Sequence, residues 1–352
     1  MFAKLLRSVV IGLIVAGLLL AALPMLRSSN GLFAEKTENT SDETPVSYNK
    51  AVRRAAPAVV NIYNRNLNGA ANVLSLGSGV IMNERGYIIT NRHVIKDAQQ
   101  ITVVLQDGRR YEALLVGSDG LTDLAVLKID PGNLPVIPTN KNRVAHVGDV
   151  VLAIGNPYNL GQTVTQGILS ATGRISMSTT GRQTFLQTDA SINRGNSGGA
   201  LVNSLGELIG INTLTYDKIT DGETPEGLGF AIPIELATKI MDKLIRDGRV
   251  IRGYFGIQGK EIIPLRPSNS GIDRLQGIIV TEITPNGPAS NAGFQINDII
   301  INVDNKPAVS VLETMDQVAE IRPGTEIPVI VLRDGKRITL KMTVGEFPED
   351  SN

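Results

Sequence analysis

From about Val59 to Ile232 the chain is cut into short, often β-branched apolar runs. They read GSGVIM, GYIIT, ITVVL, YEALLVG, LAVLKI, DVVLAIG, VTQGILSAT, FLQTD, a longer ALVNSLGELIGINTL, and GLGFAI. They recur about 8–14 residues apart, with Gly, Asp or Asn between them, and no βαβ alternation interrupts the series. That spacing suits an antiparallel sandwich or a pair of barrels. The 36 glycines, the 4% aromatic content and the absence of Trp agree with a mainly β protein.

The clearest helix of the soluble part follows, IPIELATKIMDKLIRDGRV. Pro233 suits its first turn, Ala237, Ile240, Met241, Leu244 and Ile245 share one face, and Gly248 can end it. This helix closes a first domain over residues 46–251, which itself opens on a short helix stopped near Pro57. The strand pattern restarts in a smaller domain, residues 252–345, with runs YFGIQG, GIIVTEI, DIIINVD, EIPVIVLRDG and RITLKMTV and a helix VLETMDQVAEI. Residues 346–352 read as a polar tail.

Residues 1–26 form a separate segment. Val9–Leu26 carries no charge and as a helix would span about 27 Å, close to the hydrocarbon thickness of a bilayer. Lys4 and Arg7 precede it, which keeps the short N-terminus cytoplasmic and sends the bulk of the chain to the far side. A cleaved signal peptide is the competing reading. No clear A-x-A site follows and the run exceeds a usual apolar region of that kind, so a retained single-pass transmembrane helix is expected. Residues 27–45 are polar without apolar period and read as a flexible linker.

Composition removes several functions. Lys+Arg and Asp+Glu are both 34, so no basic footprint marks a nucleic-acid binder. With no Cys and only two His, neither a thiolate nor a multi-histidine metal centre can be built, no HExxH pattern occurs, and no cofactor is expected.

Chemistry concentrates in INRGNSGGAL, Ile192–Leu201. Such a Gly/Ser/Asn cluster is first of all a turn. A serine hydroxyl becomes a nucleophile only when a base takes its proton and a carboxylate orients that base. His93, in YIITNRHVI, stands where an apolar strand gives way to a short turn. His146, in NRVAHVGDVV, reads as an ordinary surface histidine. Asp123 stands directly before the apolar run LAVLKI, while its rival Asp119 sits in a Gly-Ser-Asp-Gly turn. The order His93, Asp123, Ser197 is that of chymotrypsin-type enzymes, and G-N-S-G-G is not the G-x-S-x-G of α/β-hydrolases. Gly195 would let its own N–H and that of Ser197 converge on an oxyanion, and Gly198 and Gly199 would permit close approach.

TNRHVI, LTDLAVLKI and NRGNSGGALVN, with a small domain after them, resemble the HtrA family of trypsin-like serine proteases from about Tyr48 to the end. The resemblance implies a chymotrypsin-like pair of six-stranded β-barrels with the active site between them, one PDZ domain, and a homotrimer. With the anchor, the short 66–76 loop and a single C-terminal domain, it implies a periplasm-facing, inner-membrane stress-sensor protease. Such an enzyme would cleave a transmembrane, RseA-like anti-sigma factor to start the envelope-stress (sigma-E) response. Its activators would be C-terminal peptides of misfolded outer-membrane proteins. The alternative is a peptide-binding or chaperone module whose protease fold is largely inactive.

PDZ domains hold a peptide carboxylate on the amides of one loop and add the peptide as a strand. The literal GLGF of Gly227–Phe230 is a decoy, because it precedes the helix that closes the protease. The expected carboxylate loop is GYFGI, with Tyr254, Phe255, Gly256 and Ile257, and the helix carrying Met315 is the groove's other wall. The residue before Ser197 is the neutral Asn196, so activation through an ion pair with a cut N-terminus is unavailable. Loop ordering coupled to the PDZ domain replaces it, with Tyr158, Arg174 and Gln187 as candidate regulatory residues.

Overall fold

The computed structural model describes residues 2–27, 47–66, 73–157, 161–175, 184–213, 227–262 and 276–348. Two units are distinct, Met1–Asn49 and Lys50–Asn352. The first contains helix α1 (Phe2–Arg27). Its consecutive residues Val9, Val10 and Ile11, and again Leu13, Ile14 and Val15, are all at least 47% exposed. At 100° per residue these six span about 240° of the helix and Leu19, 59% exposed, falls in the remaining sector, so residues 9–19 present no polar face. Among the described residues no helix is long and apolar enough to cross a membrane; the side chains of residues 20–27, which complete the apolar run, lie outside the description. Of the linker expected at 27–45, Arg27 ends α1 and residues 28–45 lie outside the described residues.

The second unit opens with α2 (Asn49–Ala55) and a 3-10 turn over Ala56–Ala58 that contains Pro57. The first sheet follows: β1 (Val59–Asn66), β2 (Val73–Ile81), β3 (Tyr87–Asn91), the single turn α3 (Arg92–Ile95), β4 (Gln100–Val104), β5 (Arg110–Glu112), β6 (Leu114–Asp119) and β7 (Leu124–Lys128). The order is β5-β4-β1-β2-β3-β7-β6, antiparallel throughout. This corrects the six-strand expectation for the first barrel. Strands β5 and β6 are one chain run bent at Ala113, whose N–H donates to Ile101 O at 2.9 Å. Its first half pairs β4 and its second half pairs β7, so the two ends of the sheet are halves of one run. Val60, Ile62, Ile81, Ile88, Val103 and Leu127 fill the inside, each worth about 1.5–3 kcal/mol when fully buried.

The second sheet is a closed barrel of six: β8 (Val150–Gly155), β9 (Thr163–Ile175), β10 (Thr184–Thr188), β11 (Ala200–Asn203), β12 (Leu208–Thr213) and β13 (Gly229–Pro233), ordered β10-β13-β12-β11-β8-β9. The GLGF string thus runs into β13, where Phe230 meets Phe185 edge to face at 6.0 Å. Helix α4 (Ile234–Asp247) buries Ala237, Ile240, Met241 and Leu244 and packs on both sheets. Gly248 caps it in the left-handed region, φ 74°, with its N–H on Leu244 O.

The C-terminal domain has β14 (Gly253–Tyr254), β15 (Ile257–Glu261), β16 (Ile278–Ile283), α5 (Pro288–Asn291), β17 (Ile299–Val303), β18 (Lys306–Pro307), α6 (Val311–Ala319), β19 (Glu326–Arg333), β20 (Lys336–Thr343) and β21 (Gly345–Glu346). Its main sheet runs β15-β16-β17-β19-β20, with β18 beside β17. The core joins Phe255, Ile278, Val280, Phe294, Ile300 and Met342. The polar tail expected from residue 346 starts later. Glu346 pairs with Gly253 across β14 and β21, the Phe347 N–H donates to Arg252 O, and the Phe347 ring packs on Tyr254 at 5.5 Å.

Candidate active site

Strand β3 buries Ile88, Ile89, Thr90 and Asn91 and then passes into α3. Val94 and Ile95 anchor that turn in the core, so the His93 side chain, 45% exposed, projects outward. Asp123 precedes β7, and the pairing of Leu124 with Asn91 sets it beside the start of α3. Its backbone is left-handed, φ 52°, a conformation Asp tolerates better than most residues. Four hydrogen bonds hold it against His93. The Asp123 carbonyl accepts from the Arg92 N–H at 2.9 Å and from Asn91 Nδ2 at 3.0 Å. Carboxylate Oδ1 accepts from the His93 N–H at 3.0 Å, and Oδ2 meets His93 Nδ1 at 2.6 Å. A ring nitrogen facing a carboxylate carries the proton, so Nε2 is left as the acceptor.

Ser197 is 2% exposed, in a turn with two glycines of positive φ, Gly195 at 104° and Gly198 at 81°. A Cβ on Gly198 would lie 2.2 Å from Ser78 O and 2.4 Å from Thr90 Oγ1, so only glycine fits. Amides are used selectively. Asn196 N–H donates to Asn193 O, Gly198 N–H to Asn212 O and Gly199 N–H to Asn196 O, each at 2.9 Å. Those of Gly195 and Ser197 meet no acceptor among the described residues. Ser197 Oγ makes no hydrogen bond to His93 or to any other described residue.

Asp119, the rival acid, is placed elsewhere. It is 7% exposed and bidentate to Arg252, at 2.6 and 2.7 Å, with Thr122 N–H and Oγ1 as further donors. Burial pushes its carboxyl up, but the Arg252 guanidinium and Thr122 outweigh burial and hold it below the ordinary range. Asp119 thus ties the first barrel to the start of the C-terminal domain, and Lys239 and Lys243 of α4 reach Glu320 beyond α6 in parallel. His146 is exposed, and its backbone N–H donates to Asp149 Oδ2 at 2.8 Å. Of the candidate regulatory residues, Tyr158 lies outside the described residues, as does the Arg174 side chain. The Arg174 backbone pairs with Phe185 across β9 and β10, and Gln187 lies two residues along β10, facing Phe230 of β13.

In the C-terminal domain Phe255 is 2% exposed and Gly256 has φ 78°. The Phe255 and Gly256 carbonyls are taken by the Ala289 and Thr284 amides. Their own N–H groups meet no acceptor among the described residues. Strand β15 lies at the sheet edge with α6 alongside. A cavity of ≈ 760 Å³ here is lined by Phe255, Gly256, Ile257, Val311, Leu312 and Met315 among others. Glu261 accepts the Val311 N–H at 2.9 Å and so caps α6, a contact the sequence reading missed.

Residues 77–211 match the trypsin-like peptidase domain family and residues 253–344 the PDZ domain family. Serine endoprotease DegS of Escherichia coli K12 is 71% identical over 99% of both chains. The chain belongs to the HtrA family of serine endoproteases. The DegS of Haemophilus influenzae is 51% identical, again over 99% of each chain. A crystal structure of the serine endoprotease from Yersinia pestis matches this HtrA-family chain at TM-score 0.73 and 64% identity, covering 86% of it and 99% of that chain. The HtrA-type protease AlgW, solved with a tripeptide, matches at TM-score 0.78 and 47% identity over 86% and 98%.

Proposed function

We propose that this HtrA-family serine endoprotease works through Ser197, His93 and Asp123, with the Gly195 and Ser197 amides as its oxyanion hole. Ser197 Oγ adds to the scissile carbonyl carbon while its proton passes to His93 Nε2. The two free amides take the charge that develops on oxygen. His93 then gives the proton to the leaving amine, which departs and leaves acyl-Ser197 for water to hydrolyse. The observation that carries this reading is the Asp123 carboxylate locked on His93 Nδ1 at 2.6 Å, which presents Nε2 as a base.

The protease is gated. Ser197 Oγ makes no hydrogen bond to His93, which supports a last catalytic contact made only on activation. The groove between β15 and α6, with the unused Phe255 and Gly256 amides at its end, supports docking of peptide C-termini. The ion pairs of Asp119 with Arg252 and of Glu320 with α4 give that docking a physical path to the barrels. The apolar, all-round exposure of α1 supports a single-pass anchor in the bacterial inner membrane, with the barrels and PDZ domain in the periplasm. We assign the activators as C-terminal peptides of misfolded outer-membrane proteins, the substrate as a transmembrane anti-sigma factor, and the assembly as a homotrimer, on the kinship with DegS.

The test is cleavage of a single-pass anti-sigma factor by the full chain in membranes, with and without peptides ending in a free carboxylate. Ser197→Ala should abolish cleavage, and amidating the peptide C-terminus should abolish stimulation. Cleavage that survives Ser197→Ala, or equal stimulation by acid and amide, would refute the corresponding part.

A further inference from the structure

We propose that Ser78, in strand β2 of the first barrel, is a positioning residue for the reaction. Its amide and hydroxyl hold the two carbonyls that flank Asn196, and this fixes the aim of the Gly195 and Ser197 N–H groups. The inference rests on the assignment of those two amides as the oxyanion hole.

Ser78 is 0% exposed, and all of its polar atoms are engaged. Its N–H donates to Ser197 O at 2.9 Å. Its hydroxyl donates to Gly195 O at 2.7 Å and accepts the Asn156 N–H at 3.1 Å. Its carbonyl accepts from Thr90 Oγ1 at 2.7 Å. The direction of the hydroxyl bond is unambiguous: an N–H can only donate, so the one hydroxyl proton goes to Gly195 O.

Because a peptide group is planar, anchoring its C=O and its N–H fixes its orientation. The Gly195–Asn196 peptide is held by Ser78 Oγ on oxygen and by Asn193 O on nitrogen. The Ser197–Gly198 peptide is held by Ser78 N on oxygen and by Asn212 O on nitrogen. Between them the Asn196 carbonyl is held by Gly199 N–H, which leaves the Ser197 N–H to project out of the turn. Gly195, at φ 104°, has no side chain to resist rotation. Among the described residues the Ser78 hydroxyl is the side chain that pins the carbonyl side of Gly195, and the N–H of that glycine, on the preceding Arg194–Gly195 peptide, is aimed from this fixed end. Removing it would also strip an acceptor from the buried Asn156 N–H, at the end of β8.

Diisopropyl fluorophosphate tests this without knowledge of the preferred substrate. Ser197 Oγ bonds to phosphorus, fluoride leaves, His93 takes the serine proton, and the phosphoryl oxygen needs the same two amides. The full chain in detergent, stimulated by a peptide with a free C-terminal carboxylate, should be inactivated about 10–100-fold more slowly as Ser78→Ala, per folded molecule counted from its urea unfolding curve. Ser78→Cys, nearly isosteric and a weaker donor, should be slowed at least about threefold, and it keeps the test open if the alanine variant does not fold. A merely structural serine would lower the urea midpoint and leave the rate per folded molecule unchanged. That result in either folded variant overturns the inference. Labelling that survives Ser197→Ala, or no labelling of the wild-type chain, instead overturns the assignment on which it rests.

Discussion

Asp123 holds His93 with both carboxylate oxygens, one on the ring Nδ1 and one on the backbone N–H. The second bond fixes the turn as well as the imidazole, so the acid sets both where the base sits and which of its nitrogens faces Ser197. Asp123→Asn should therefore fold, since Asn tolerates φ 52° as well as Asp does. An amide that offers N–H to Nδ1 selects the wrong tautomer. The expected loss in kcat is about 10³–10⁴-fold with KM little changed. Steady-state cleavage of a peptide substrate reads both constants.

Two glycines of positive φ should respond differently to alanine. At Gly198 a Cβ meets the Ser78 carbonyl and Thr90, so Gly198→Ala should cost about 3 kcal/mol or more and deform the nucleophile turn. At Gly335, φ 75°, a Cβ meets nothing within 4 Å. Gly335→Ala should then cost only the backbone strain, about 1 kcal/mol. Urea unfolding of the two variants makes the comparison.

Breaking the Asp119–Arg252 pair should give a pH-dependent defect. In the native chain the Asp119 carboxyl is depressed, so folded protein binds fewer protons than unfolded protein below about pH 4. Its stabilisation is thus full at neutral pH and fades as pH falls through the depressed value. In Arg252→Ala only the Thr122 hydrogen bonds still oppose burial, so that carboxyl rises from its native value and acidification relieves the variant. The deficit should be about 3–5 kcal/mol at pH 7 and shrink toward pH 3. Thermal melting of both proteins across that range would show a constant gap if the pair carried no such charge.

Gly256→Val should cost at least about tenfold in affinity for peptides with a free C-terminal carboxylate. Its φ of 78° is closed to a β-branched residue, and Pro288 Cδ already lies 3.1 Å from the Cβ position. Fluorescence anisotropy with a labelled apolar-ended peptide measures the loss.

The strands, α4 and the motifs that carry His93, Asp123 and Ser197 stand out in the sequence because each is a local signal. Apolar alternation, a 3.6-residue period and glycine-flanked Ser197 need no knowledge of distant neighbours. Asp119 and Asp123 were separable only by position, and the structure shows why each is needed: one grips Arg252, 133 residues away, and the other grips His93. Ser78 was illegible because a buried serine in a strand has no motif. Its importance arises when β2 crosses residues 195–197, more than a hundred positions later. The bend at Ala113 was hidden for a similar reason, since YEALLVG reads as one strand whichever edges its halves serve.

That bend bears on how the protein avoids its own aggregation. A sheet that ends on two halves of one run offers no full-length edge to an unfolded chain, and the six-stranded barrel offers none at all. The open margins belong to the C-terminal sheet. One of them, β20, carries Lys336, Arg337 and Lys341, and charges on an edge strand discourage adventitious pairing. The other, β15, faces the groove beside α6. A stray β-segment meeting this sheet is thereby turned from β20 toward β15, the margin beside the groove.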